Sequence, residues 1–110
     1  MVQMTVRLTV PSDRAAQLVQ ALHALMRHVR GRRGCSDAHI AADVVDTNAF
    51  WYCEDWEDER ALGEELRSDR FSDLLALMET SVTPPTLEFR RVSDTCGLEY
   101  VAAARAQEDA

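Results

Sequence analysis

The chain has 110 residues, 46% apolar and 28% charged, enough to bury a core of its own without a metal or disulfide staple. Its net charge of −7 opposes contact with phosphate backbones, so nucleic acid is not an expected partner. No apolar run nears the roughly 20 residues that cross a bilayer, and the N-terminus lacks a charged start followed by an apolar stretch. The expectation is therefore a cytoplasmic protein with no membrane partner.

The three cysteines, Cys35, Cys53 and Cys96, are odd in number and widely spaced, which suits reduced thiols better than a disulfide framework. All 12 basic residues are Arg, scattered along the chain rather than clustered, and this uniform usage reads as codon bias.

Val2, Met4, Val6, Leu8 and Val10 alternate with Gln3, Thr5, Arg7 and Thr9, a period-two strand that Pro11 ends. Ser12 or Asp13 is placed to cap a helix whose apolar stripe is Ala15, Leu18, Leu22, Leu25, Met26 and Val29, with Gly31 at its stop. After the loop Arg32-Arg33-Gly34, a second strand carries Ala38, Ile40, Ala42 and Val44 against Asp37, His39 and Asp43. Asp46-Thr47-Asn48 supplies turn chemistry for a hairpin into a third strand beginning near Ala49, with the aromatic run Phe50-Trp51-Tyr52.

That strand turns at Trp56-Glu57-Asp58 into a helix, where Glu57, Asp58 and Glu59 suit the positive end of the helix dipole. Ala61, Leu62, Glu65 and Leu66 follow a helical period. The helix breaks near Ser68, which can cap a further piece from Asp69 with Phe71, Leu74, Leu75 and Met78 as its buried face. Thr83-Pro84-Pro85 is a breaker, and Leu87 to Val92 is a final strand. Beyond Gly97 an alanine-rich tail forms a short helix fraying into residues 107–109.

The order strand, helix, strand, strand, helix, strand is the ferredoxin-like α+β arrangement, βαββαβ, an antiparallel sheet with helices on one face. One domain covers residues 1–110, with a core of about 2–93 and a tail of 94–110. The other face of the sheet carries Thr5, Arg7, His39, Trp51 and Cys53. A wet Trp51 is costly, so a homodimer with sheets face to face is expected.

Gly34-Cys35 at the second strand, Glu54-x-Trp56 ending the third, and Ala61-Leu62 through Leu66-x-Ser68-x-x-Phe71 together resemble the antibiotic biosynthesis monooxygenase family, over roughly Met4 to Val92. The resemblance implies a dimeric ferredoxin-like α+β barrel with a pocket between helices and sheet near Trp56. Some members oxygenate polyketide or quinol-type aromatics with no metal or flavin, others degrade haem, and fold alone does not decide among such activities. Many members carry His in the second helix where this chain has Glu65. The haem-degrading branch uses Asn, Trp and His where this chain has Val6, Trp56 and Leu75, and leucine cannot ligate iron.

The implied function is a cofactor-independent monooxygenase acting on a small planar aromatic or quinol. The alternative is a non-catalytic dimeric small-molecule-binding or interaction module on the same fold. Neither reading calls for a cofactor or metal. Glu65, if it points into an apolar pocket, would gain a raised pKa and serve as base; the plainer reading, which is favoured, is a solvated helix carboxylate among Glu64, Arg67 and Asp69. Glu54 shares a strand face with Tyr52 and Trp56 and could orient a substrate hydroxyl, although a salt bridge to an Arg is the commoner use. Trp56 is a stacking platform or a core residue, and Tyr52 and Phe71 are candidate pocket walls. His39, on the sheet, can take a proton near neutral pH or simply face a dimer partner. His23 and His28 are wrongly spaced to share a metal on one helix face, and Cys53 reads as a small buried hydrophobe.

Overall fold

The alternation in the first strand and the helical stripe after it dictate a two-layer protein, and the computed structural model, which describes residues 1–107, has that form. The strands are β1 (Val2–Thr9), β2 (Cys35–Ala42), β3 (Ala49–Trp56) and β4 (Thr86–Arg91). The helices are α1 (Ala15–Arg30), α2 (Glu59–Leu66), α3 (Asp69–Glu79) and α4 (Leu98–Ala106). The sheet order is β2-β3-β1-β4 with every neighbouring pair antiparallel, the ferredoxin-like topology.

Val2, Met4, Val6 and Leu8 of β1 and Tyr52 and Trp56 of β3 point to one face, where Leu18, Leu22, Leu25, Met26 and Val29 of α1 meet them. Leu62 of α2 and Leu74 of α3 complete the layer. Each such side chain contributes about 1.5–3 kcal/mol when fully buried, so the inner face of β1 and β3 anchors the fold. Thr5, Arg7, His39, Trp51 and Cys53 share the other face, as expected, with His39 opposite Cys53 and Arg7 opposite Trp51. The Arg7 guanidinium lies 5.7 Å from the Trp51 ring centroid and covers part of the indole within the same chain.

Several local expectations are corrected. Neither Ser12 nor Asp13 caps α1; a 3-10 turn over Ser12–Arg14 leads into the helix instead. Val44 is not a strand residue. Asp43 accepts from the Val45 and Asp46 amides, an Asx-type turn that ends β2 early and leaves Val44 and Val45 each 94% exposed. On α3 only Leu74 is buried; Phe71 and Met78 are half-buried, Leu75 is exposed, and Leu77 packs inward instead. The Ser68 cap is as expected, its hydroxyl accepting from the Phe71 amide. The tail does form a helix, α4, which buries none of its residues; positions 108 and 109 of the expected fraying lie outside the described residues.

Candidate active site

Period two along β3 puts Tyr52, Glu54 and Trp56 side by side on the inner face, 0%, 3% and 1% exposed. The Tyr52 hydroxyl donates to Glu54 Oε2 at 2.6 Å, and the Trp56 indole N–H donates to Glu54 Oε1 at 2.9 Å. Each carboxylate oxygen thus has a neutral donor two residues away on its own strand. Across the sheet Glu54 is flanked by Met4 and Ala38, both fully buried.

Burial pushes the Glu54 carboxyl above its ordinary value; the two donors and Arg70 pull it back, while the charge on Glu65 pushes it further up. Burial, then the charge of Glu54, drives the Tyr52 phenol far above its usual range, so it remains a donor. The Cys35 thiol, also desolvated and close enough to feel Glu54, is pushed up to about 11 and is no thiolate near neutral pH.

Glu65 stands in the last turn of α2 and is 3% exposed, so the favoured reading of a solvated helix carboxylate is overturned. The reason lies beyond the helix. The Ser68 hydroxyl donates to the Glu65 carbonyl at 2.6 Å and the chain bends there. Arg70 then reaches back to hold the carboxylate, Nη2 at 3.0 Å from Oε1 and Nε at 3.4 Å from Oε2. Arg32, from the loop after α1, adds a second guanidinium at 3.9 Å. The commoner use of a carboxylate, a salt bridge to Arg, is the one Glu65 makes, while Glu54 has neutral partners.

Gly34 closes the corner. Its φ is +90°, and a Cβ there would collide with Ala61 Cβ, so only glycine lets the loop pass beneath α2. Its carbonyl accepts from the Glu57 amide at 2.8 Å, and Asp58 caps α2 by accepting from the Ala61 amide. Gly34 entered the sequence reading only through the Gly34-Cys35 motif, and Arg32 and Arg70 were missed as site residues; the signal for the arginines is weak, one just past a Ser helix break and one in a loop beside that glycine.

The remaining candidates are not gathered at this point. Phe71 is half-buried in the first turn of α3 and packs against the core. His39 is on the opposite face of the sheet from Glu54, exposed, with Nδ1 3.6 Å from Asp37. Val6 is buried in the sheet and Leu75 is exposed on α3, so the haem-ligand positions do not converge. Among the described residues no group of three or more His, Cys, Asp or Glu is arranged to hold a metal ion.

The expected hollow walled by the Trp56 ring takes a different form. Beside the corner is an open hollow of about 340 Å³, lined by Val2, Leu62, Gly63, Leu66 and Phe89, with Glu59 and Arg91 at its rim. Val2 is the cross-strand partner of Trp56, but the indole does not line the hollow. An apolar hollow on the helix side of the sheet can accept a flat apolar molecule; Glu54 does not line it and is sealed beneath the corner with both oxygens hydrogen-bonded.

Fold and corner together define a ferredoxin-like α+β protein with a buried carboxylate cluster between sheet and helices. The model of the family named antibiotic biosynthesis monooxygenase matches residues 1–77, and the chain belongs to that family. No curated protein matches its sequence. Among solved structures it is similar to a candidate antibiotic biosynthesis monooxygenase of Deinococcus radiodurans, with a TM-score of 0.79 at 21% identity over 88% of this chain and 97% of the other. A conserved protein of Methanosarcina mazei gives 0.74 at 19% identity over 82% and 90%. A further candidate monooxygenase of this kind, from Nitrosomonas europaea, gives 0.73 at 12% identity over 86% and 100%. At these identities the likeness is one of fold.

Proposed function

We propose that the protein is a cofactor-independent monooxygenase acting on a small planar aromatic of phenol or quinol type, with Glu54 as the base. The observation that carries this reading is the buried Glu54 carboxylate, held by Tyr52 and Trp56, with a pKa raised by desolvation, the direction that makes a carboxylate a stronger base. Glu65 is committed to Arg70 and Arg32 and serves as a fixed negative charge that raises the basicity of Glu54.

In the proposed reaction the substrate lies in the hollow by Val2, Leu62 and Leu66, and the reaction requires the side chains between that hollow and Glu54 to move so that the hydroxyl reaches the carboxylate. Glu54 takes the proton, and the electron-rich phenolate gives electrons to dioxygen to form a carbon–oxygen bond. Loss of the remaining hydrogen from that carbon, with cleavage of the O–O bond, leaves a carbonyl. The carbon exchanges its hydrogen for oxygen, the hydroxyl becomes the second carbonyl, and the other oxygen atom leaves as water with both hydrogens. The apolar surroundings support the step by excluding water.

A panel of naphthols and dihydroxynaphthalenes in an oxygen electrode, corrected for autoxidation, tests this. The expected result is uptake with one quinone formed per dioxygen from a naphthol, lowered about 10²–10⁴-fold in Glu54→Gln. The rate should rise as pH climbs through the raised pKa of Glu54 and level off above it. No uptake above background across the panel would remove the catalytic reading.

A second reading, a non-catalytic binding or interaction module, is favoured by one observation: Tyr52, Glu54 and Trp56 satisfy one another and are sealed from solvent. Under that reading Glu54→Gln changes stability and leaves ligand binding at the hollow as it was. In both readings we propose a homodimer through the sheet face bearing Thr5, Arg7, His39, Trp51 and Cys53. Sedimentation as a clean monomer would exclude that assembly.

A further inference from the structure

α1 and α3 lie side by side and run in opposite directions, so the end of α1 meets the start of α3. At the far end Gln17 and Leu18 meet Leu77 and Thr80. Packed helices ordinarily fill the space between them with interdigitated side chains. Here Ala21 and Ala24 of α1 and Ala76 of α3 leave that space open, forming a cleft of about 510 Å³ that Leu25 and Leu77 also line. That volume falls within the ordinary range of small-ligand pockets, about 300–1,000 Å³.

The cleft is chemically two-ended. Chain direction places the alanines and Leu77 toward one end and His28, Arg70 and Asp73 toward the other. Arg70 is preorganised: Nε and Nη2 are fixed on the buried Glu65, and Nη1 takes no part in that pair. A guanidinium held on one side by a buried carboxylate, facing an alanine-walled cleft, costs little conformational entropy when it engages an anion. His28 supplies a second ring donor at the same end, and Asp73 disfavours a second negative charge there.

We infer that the α1–α3 cleft is a binding site for a small apolar monocarboxylate, its head on Arg70 and His28 and its hydrocarbon body against Ala21, Ala24, Ala76 and Leu77. This site lies on a different wall of the molecule from the hollow by Val2 and Leu62, and it does not depend on the proposed oxygenation.

The test is an NMR titration of the full-length ¹⁵N-labelled chain with 1-naphthoate, which has no hydroxyl to oxidise, against its uncharged counterpart 1-naphthamide. The expected result is amide shifts confined to residues 21–28 and 70–77, with naphthoate bound about tenfold more tightly than the amide, or about 1.4 kcal/mol. Ala24→Phe, which fills the cleft from an exposed position, should weaken naphthoate about tenfold, and His28→Ala should weaken it several-fold. Absence of shifts up to the solubility limit, shifts centred on Val2, Leu62 and Phe89, or equal binding of the amide would each overturn the assignment. Should Ala24→Phe fail to fold, the acid–amide comparison on the unaltered chain and the His28→Ala titration still decide it.

Discussion

Glu54 and Glu65 are each only 3% exposed, yet the protein deals with them in opposite ways. Glu54 sits on a strand and receives two neutral donors from its own strand neighbours. Glu65 sits on a helix and receives two guanidiniums, one from across a helix break and one from a distant loop. Neutral donors satisfy the oxygens of a carboxylate without balancing its charge, so desolvation prevails and the proton is held more tightly. An arginine balances the charge at the expense of depending on that partner. The first arrangement raises the pKa of its carboxyl; the second pairs its carboxylate with opposite charge.

The largest effect that would break this comparison comes from the ring shared by core and cluster. Trp56→Ala should cost about 3–5 kcal/mol in urea unfolding, because it empties a large buried volume and takes one donor from Glu54. A near-neutral result would mean that the indole is a replaceable wall. Next, Arg70→Met should cost about 3 kcal/mol by stranding the Glu65 charge, and pairing it with Glu65→Met in a double-mutant cycle should recover much of the loss. Gly34→Ala should cost about 2–4 kcal/mol, from the left-handed backbone and from Ala61, and the companion Ala61→Gly should relieve the steric part.

The pH dependence sharpens the contrast. The Glu54 pKa is raised in the fold, so its contribution to stability is fully present below the unfolded-state value and is lost as pH rises through the folded one. Between those values the folded state holds the extra proton, and stability falls by at most about 1.4 kcal/mol per pH unit. Urea midpoints of Glu54→Gln and the parent, measured across that window, should differ in slope in this direction. An identical slope would mean that Glu54 is not held protonated by its site. The smallest effect belongs to Arg32, 46% exposed and 3.9 Å from Glu65: Arg32→Ala should change stability by at most about 1 kcal/mol.

The succession of strands and helices, the inner face of β1 and the Ser68 break were legible because each is written in local periodicity or in one capping residue. The placement of Tyr52, Glu54 and Trp56 on one face was legible for the same reason. The fate of Glu65 was not. Its helix neighbours Glu64 and Arg67 are exposed and argue for solvent, and the partners that bury it stand beyond the end of the helix and on a loop distant in sequence. Val44 misled in the other direction: its alternation continued that of β2, but the Asp43 side chain captured the next amides and ended the ladder. His39 was placed on the correct face of the sheet, and that placement separates it from the carboxylate cluster.

α4 has a consequence of its own. Nine residues make a helix too short to hold together in water without neighbours, and this one leaves Leu98 and Tyr100 uncovered while burying nothing. Its alanines have the highest helix propensity of any residue, but over nine residues that does not offset the cost of nucleating the helix. Residues 98–106 should therefore unravel and re-form independently of the sheet, exchanging their amide hydrogens almost as fast as a free peptide while β1 and β3 stay protected, so that a protease would trim this end and leave the body intact.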